Sequence, residues 1–424
     1  MRLLLSFVAL LVVAVLSSGS QARALQPATL KKADLGHRFL LQVSYERDGI
    51  RRDFNTSRSR IVAFRRDGDV LQMLDATHDA GTASPAILAK IPIRLETGSS
   101  LVVDLNAAFD SVSTEEDRTG EDYYGRIETH EGSEIRLFER EAVSVTIHGA
   151  TLVFDQAART DDNQPILVHY YLSRYEPSSD FRPFEMKNLR RFGFYETYPQ
   201  MQSGRWVLYA MKFDEHQPIV FALSSTIPES RRAAVRDGVL YWNRALGRDM
   251  VRVVDAPPGV RVPHPEYNVV QWTTSGEFAS TSYIQSDPLT GQILHAHVFV
   301  LPETMMDGDL EDQNDHLRYI VAHEIGHALG LRHNFAPGKA STVMGYFRVP
   351  QILKIGKDIR SGAPALPFDT AVVQHVYLGA PLDLSMLPAF CTDYQRGCSP
   401  FFAKPKESEG IRGGPSSHRG GSAN

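Results

Sequence analysis

Between Ala322 and Asn334 the chain reads His323-Glu324-Ile325-Gly326-His327-Ala328-Leu329-Gly330-Leu331-Arg332-His333, the pattern H-E-x-x-H-x-x-G-x-x-H with every fixed position filled. A helix turns about 100° per residue, so His323 and His327 lie about 40° apart and one turn along the axis. Both imidazoles can therefore reach one metal ion. Glu324 is displaced around the helix, where its carboxylate can reach a water held on that ion. His333 cannot join them on a continuing helix, because six more residues swing it roughly 240° from His327. The chain must turn, and Gly330 is where it can: glycine tolerates positive φ and is the usual helix-ending residue. The spacing thus predicts a helix, a break at Gly330, and the return of His333 beneath the ion.

Three neutral histidines with an open fourth position are the donor set of a catalytic zinc site rather than a structural one. Zinc lowers the pKa of a bound water to about 7 and polarises a carbonyl. Glu324 is suited to take the water proton as general base and to pass it to a leaving amine. One zinc ion on His323, His327 and His333 is therefore expected.

Downstream, Thr342-Val343-Met344-Gly345-Tyr346 places a methionine eleven residues after His333, with a tyrosine two residues later. With the long zinc motif, this resembles the metzincin metalloproteases. The resemblance implies that Met344 lies in a tight turn beneath the metal. It also implies that Tyr346 lies near the zinc, as an extra ligand or a stabiliser of the oxyanion. The residue after the third histidine is Asn334, which matches none of the better-known branches. The stretches Pro218 to Asp255, Tyr267 to Pro302 and the zinc motif onward resemble a bacterial group of secreted zinc metallopeptidases, mostly uncharacterised, that includes the catalytic subunit of an AB-type toxin. What this implies is a zinc endopeptidase acting on a peptide or protein. Two other readings stay open: a secreted, non-catalytic zinc-containing binding protein, and a toxin-like protease effector delivered by a partner subunit.

The C-terminal half reads the same way from its residues. Pro218 to Leu223 is a short apolar run of strand formers. A helix follows from Pro228, with Val235, Val239, Trp242 and Leu246 at helical spacing and Gly247 as its stop. Met250 to Val254, Asn268 to Thr273, Thr281 to Ile284 and Ile293 to Leu301 read as strands, and Asp287 to Gly291 as a turn. Asn314 or Asp315 can cap the zinc-motif helix. Zinc peptidases hold an extended substrate on an edge strand above the metal. Ile293 to Leu301 is the expected edge strand, with His295 and His297 on a solvated face. After Tyr346 the chain reads as Pro- and Gly-rich to about Phe368. Asp369 then caps a helix through Val372 and Val376 that ends at Gly379.

The expected fold class is α+β: a zincin-type domain of mixed twisted sheet, active-site helix and C-terminal helix, preceded by a β-rich N-terminal domain. In that N-terminal part Arg38 to Arg47, Arg60 to Phe64, Ile93 to Thr97, Leu101 to Leu105, Glu134 to Phe138, Val143 to Ile147, Thr151 to Phe154 and Ile166 to Leu172 are strand-like, suggesting a sandwich or small barrel. Arg2 followed by the apolar run Leu3 to Leu16 and Ala22-Arg23-Ala24 reads as a signal peptide over residues 1–24, hence a secreted protein, extracellular or periplasmic. Residues 25–175 form the N-terminal domain, as propeptide or accessory module. Residues 176–403 form the peptidase domain, and 404–424 a disordered tail rich in Gly, Ser and charge. Cys391 and Cys398, the only cysteines, would close a small disulfide loop in an oxidising compartment. A formal charge of −5 over 424 residues argues against nucleic acid as the main partner. Apart from the leader no run is long enough to insert stably in a membrane. Oligomeric state is open at this level.

Overall fold

The computed structural model describes residues 28–47, 53–77, 84–113, 119–121, 127–129, 134–186, 193–260, 262–273, 280–301, 308–335 and 341–382. The expected signal peptide, the Cys391 and Cys398 pair and the 404–424 tail lie outside the described residues. No helix among the described residues is long and apolar enough to cross a membrane, a statement that does not extend to β-barrels.

The described chain mixes helix and strand around two hydrophobic cores, one drawn from residues between Ala28 and Leu172 and one from residues between Phe184 and Leu382. The first is built on β1 (Ala28–Lys31), β2 (Arg38–Arg47), β3 (Asp53–Asp67), β4 (Val70–Asp75), β5 (Ile87–Glu96) and β6 (Ser100–Val103), followed by a single-turn α1 (Leu105–Ala108). Two small ladders, β7 (Ser111–Ser113) with β10 (Glu134–Arg136) and β8 (Thr119–Glu121) with β9 (Ile127–Thr129), precede β11 (Phe138–His148), β12 (Thr151–Arg159) and β13 (Pro165–Arg174). Nine strands form one antiparallel sheet in the order β1-β6-β5-β4-β3-β2-β13-β12-β11. The expected sandwich or barrel is therefore corrected to one open sheet, whose end strands β1 and β11 do not pair. The sheet curls: Leu30 of β1, Phe64 of β3, Ile91 of β5 and Leu152 of β12 line one common apolar cavity. That curl buries apolar side chains from distant strands without a second sheet.

Short ladders β14 (Phe184–Glu185) with β17 (Tyr209–Ala210) and β15 (Gln200–Gln202) with β16 (Arg205–Val207) lead into the second core. Its sheet comprises β18 (Ile219–Leu223), β19 (Val251–Asp255), β20 (Asn268–Trp272), β21 (Thr281–Ser286) and β22 (Ile293–Val300), in the order β19-β18-β20-β22-β21. The first four run parallel and β21 is antiparallel. Ile219-Val220-Phe221-Ala222-Leu223 is apolar throughout, as a strand inside a parallel sheet should be. The expected edge strand at Ile293 to Leu301 is corrected: β22 is interior, and the edge beyond it is β21, Thr281–Ser286. Periodicity distinguishes the faces of a strand, not its rank in the sheet.

Four helices complete this half: α2 (Glu229–Leu246), α3 (Leu310–Ala328), α4 (Val349–Arg360) and α5 (Pro367–Leu378). Gly247 ends α2 with φ 71°, in the left-handed region that favours glycine. The cap of α3 is Asp309, which accepts from the amides of Glu311 and Asp312; this corrects the expected cap at Asn314 or Asp315. Those two lie inside the helix, where Asn314 accepts from Arg231 at 2.8 Å and Asp315 from Arg318 at 3.0 Å. Helix α4 replaces the irregular stretch expected after Tyr346. Ile352, Ile355 and Ile359 give it an apolar stripe, the last two buried.

Glycines set the helix spacing. A Cβ on Gly238 of α2 would stand 2.7 Å from Val321 Cβ of α3, and one on Gly356 of α4 only 1.9 Å from the Asp315 carbonyl oxygen. Because that neighbour is backbone, α4 must move as a body to admit a methyl group. Gly356→Ala should destabilise the chain by about 1–3 kcal/mol. Gly98→Ala, with nothing within 4 Å, should stay within about 0.5 kcal/mol of the parent. Urea denaturation of the two variants checks the contrast.

Candidate metal centre

The last two turns of α3 carry His323, Glu324 and His327, all buried. The helix closes at Leu329, and Gly330 follows with φ 101°. A Cβ there would lie 2.1 Å from the Met211 carbonyl oxygen. Both torsion and space therefore require glycine at this break. The released strand is taken up by the segment around Phe194: Tyr195 donates its amide to the Gly330 carbonyl at 2.7 Å, and Arg332 donates its amide to the Gly193 carbonyl at 2.7 Å. The Arg332 guanidinium, also buried, pairs with Glu196 at 2.9 Å. His333 is thereby delivered back to the helix.

Each helix histidine is oriented through its Nδ1. His323 Nδ1 lies 2.8 Å from the Val343 carbonyl oxygen and His327 Nδ1 lies 2.7 Å from that of Leu331. A carbonyl accepts only, so Nδ1 must carry the proton and Nε2 presents its lone pair. The three Nε2 atoms of His323, His327 and His333 stand 3.1, 3.1 and 3.2 Å apart. Zinc–nitrogen bonds of 2.0–2.1 Å in a tetrahedron separate nitrogens by about 3.3–3.4 Å, so this triad fits a zinc ion with one position left over. Burial, then the neighbouring His333 and His323, hold His327 well below the usual imidazole range, so it stays in the neutral, ligating form. The three residues form one of the side-chain groups able to hold a metal.

Glu324 lies beside them. Burial pushes its carboxyl up to about 8, and Ser282 of β21 pulls the other way. A dication on the adjacent imidazoles lowers it further, since an opposite charge nearby favours the carboxylate. Tyr346 brings its hydroxyl 3.0 Å from His333 Nε2 and its ring 5.7 Å from that of His323, while staying half exposed. Met344 is fully buried, with its sulfur under Gly326: a Cβ on that glycine would meet Met344 Sδ at 2.2 Å and Trp242 Cζ2 at 2.7 Å. Asn334, also buried, donates its amide to the Met344 carbonyl at 2.9 Å, which laces the third-ligand loop to the methionine turn. The structure thus brings His323, His327, His333 and Tyr346 together, with Met344 packed under the ligand helix and Gly330 at its break. Cys391 and Cys398 lie outside the described residues.

Two expectations change here. His295 and His297 were read as a solvated strand face, but the His264 loop lies on His297 and His295 is partly buried. His297 is buried and its Nε2 lies 3.2 Å from the His264 carbonyl oxygen. Burial holds His295 down to about 4 and His297 to about 3, so neither carries charge at neutral pH. Asp369 was read as a helix cap, but the cap of α5 is Leu366. The fully buried Asp369 carboxylate instead accepts from Tyr241 Oη at 2.6 Å, from the Val343 amide at 2.9 Å and from Thr342 Oγ1. It thereby fixes the turn whose carbonyl holds His323. Ser282, Glu196 and Arg332 also escaped sequence reading, because nothing local marks a residue whose partner comes from a distant segment.

A protein-family model described as Met-zincin matches residues 306–352, which hold the zinc motif and the methionine turn. That short span of the chain is similar to Met-zincins. No curated protein matches. Among solved structures, High choriolytic enzyme 1, a hatching-enzyme zinc-protease of the medaka fish Oryzias latipes, aligns over 39% of this chain and 92% of its own, at 16% identity and a TM-score of 0.23. A TM-score that low equates no fold.

Burial pushes the Asp369 carboxyl up to about 6 from 3.8, against hydrogen bonds from Thr342, Tyr241 and Val343 that lower it. The folded chain then binds a proton between about pH 6 and pH 4 that the unfolded chain binds only near 4. This group's contribution is full below about pH 4 and is lost as pH rises through 6. The difference in unfolding free energy between parent and Asp369→Asn should therefore slope across pH 4 to 6 and level off on either side. Urea denaturation at stepped pH measures it.

Proposed function

We propose that the chain is a zinc-dependent peptidase, with His323, His327 and His333 as metal ligands and Glu324 as general base. The observation that carries this is the convergence of three imidazole Nε2 atoms within 3.2 Å of each other, with the buried Glu324 following the first of these histidines on α3. The similarity of residues 306–352 to Met-zincins supports the same class. Secretion, and kinship with the secreted bacterial metallopeptidases, belong to this reading and rest on the expected leader and on the sequence resemblance.

When bound, zinc supplies a Lewis acid and an acidified water. Glu324 accepts the proton of the attacking water. As the carbon–nitrogen bond breaks, it returns that proton to the departing amine. The half-exposed Tyr346 hydroxyl, close to His333, is placed to donate to the oxygen that gains charge. Strand β21 is the last strand of its sheet, the rank at which an extended peptide can add as a further strand. Helix α3, which carries Glu324, packs against that strand, so the strand proposed to receive substrate lies beside the helix of the base.

Glu324→Ala should keep the zinc content of the parent and lose peptide hydrolysis by about 10²–10⁴-fold, measured by metal analysis and cleavage of a proteome-derived peptide library. Hydrolysis that survives in this variant would remove Glu324 from the role of base. Tyr346→Phe should lower kcat by roughly 10²-fold with KM nearly unchanged, the signature of a donor that acts only in the transition state.

A further inference from the structure

A second group of ligating side chains lies where the two cores meet. His148 ends β11 at the hairpin into β12, while His264 and Glu266 lie in the connection from β19 to β20. Their ligand atoms all fall within 4.8 Å of one another. The two imidazole rings stand 5.8 Å apart at 70°. The carboxylate of Glu266 rests on the hairpin turn, its Oε1 3.1 Å from where a Cβ on Gly149 would lie. From this geometry we propose that His148, His264 and Glu266 form a second zinc site, which clamps the N-terminal sheet onto the C-terminal one.

The donor chemistry selects the cation. Two imidazoles and one carboxylate suit zinc and its neighbours among the transition dications, whereas calcium and magnesium take oxygen ligands. Three protein ligands leave a fourth position for water. A tetrahedral zinc needs donors about 3.3 Å apart, so binding draws the group together by at most roughly 1.5 Å, within reach of side-chain rotation at partly exposed positions. The His264 backbone is already fixed: its amide and carbonyl flank the buried His297 Nε2 at 3.3 and 3.2 Å, and its ring packs on Tyr267 at 4.9 Å. One half of the site is thus held rigid, and the hairpin brings the other. Besides this group, Tyr175 donates to Asp287 at 3.0 Å across the same boundary, and β3 lies against β21. An ion here cross-links segments more than a hundred residues apart, and an ion that binds the folded chain alone stabilises it.

The experiment uses the full chain with His323→Ala and His327→Ala, which removes the first site. Protein stripped by chelator is dialysed against zinc, its zinc is counted, and its melting temperature is taken with and without the ion. One zinc per chain and a zinc-dependent rise in melting temperature are expected. Adding His148→Gln or Glu266→Gln should abolish both while far-UV circular dichroism stays unchanged. A folded double variant that holds no zinc overturns the proposal, as does a zinc that survives His148→Gln. If the double variant does not fold, the unsubstituted chain is compared with His148→Gln alone: two ions against one supports the site, and equal counts overturn it. Neither readout uses peptide hydrolysis, so the outcome is independent of the peptidase assignment.

Discussion

Two hydrogen bonds from imidazole Nδ1 to backbone carbonyls decide whether this metal centre exists. They join His323 to Val343 and His327 to Leu331. By fixing the tautomer they turn both Nε2 lone pairs toward one point. The carbonyls belong to the two segments that must arrive from elsewhere: the methionine turn and the loop after Gly330. The helix thus cannot orient its ligands alone. Asp369 secures one segment, the Phe194 strand and the buried Arg332–Glu196 pair secure the other, and the Asn334 amide ties the two together. Zinc ligation is written locally in the motif, but its geometry is imposed by tertiary contacts.

The two sheets divide the work differently. The mostly parallel sheet packs against helices and ends in the antiparallel strand β21. The N-terminal sheet curls on itself and meets the other half along β21, the Asp287 turn and the His264 loop. Its boundary with the C-terminal half is polar, with tyrosine, aspartate and histidines facing one another. Such boundaries respond to ions and pH more readily than apolar ones do.

Much of the centre was legible because it is local. The ligand spacing and the glycine break sit within a short stretch, where helical geometry alone predicts who can meet, while Met344 and Tyr346 were expected from the metzincin resemblance. The strands of the C-terminal sheet and helix α2 were equally legible from apolar runs and stop signals. What escaped is what depends on partners far away. The rank of β22 inside the sheet depends on β21, so the edge could not be told from composition. The burial of His297 follows from the His264 loop that lies on it. Asp369 has the residue type and position of a cap, yet its proton acceptors are spent on Tyr241, Thr342 and Val343. Helix α4 was readable, with a proline near its start and isoleucines at helical spacing, but the surrounding prolines and glycines hid it. The curl of the N-terminal sheet is a global property that no single strand announces.

The motif's nominally free fourth position carries a restriction of its own. Gly326 and Met344 occupy one shared volume, closed on its third side by Trp242. A larger residue at 326 is tolerable only alongside a shorter one at 344, and shortening 344 alone opens a void under the ligand helix. The thioether is therefore better understood as a shim cut to glycine's thickness, and the two positions can change only as a pair.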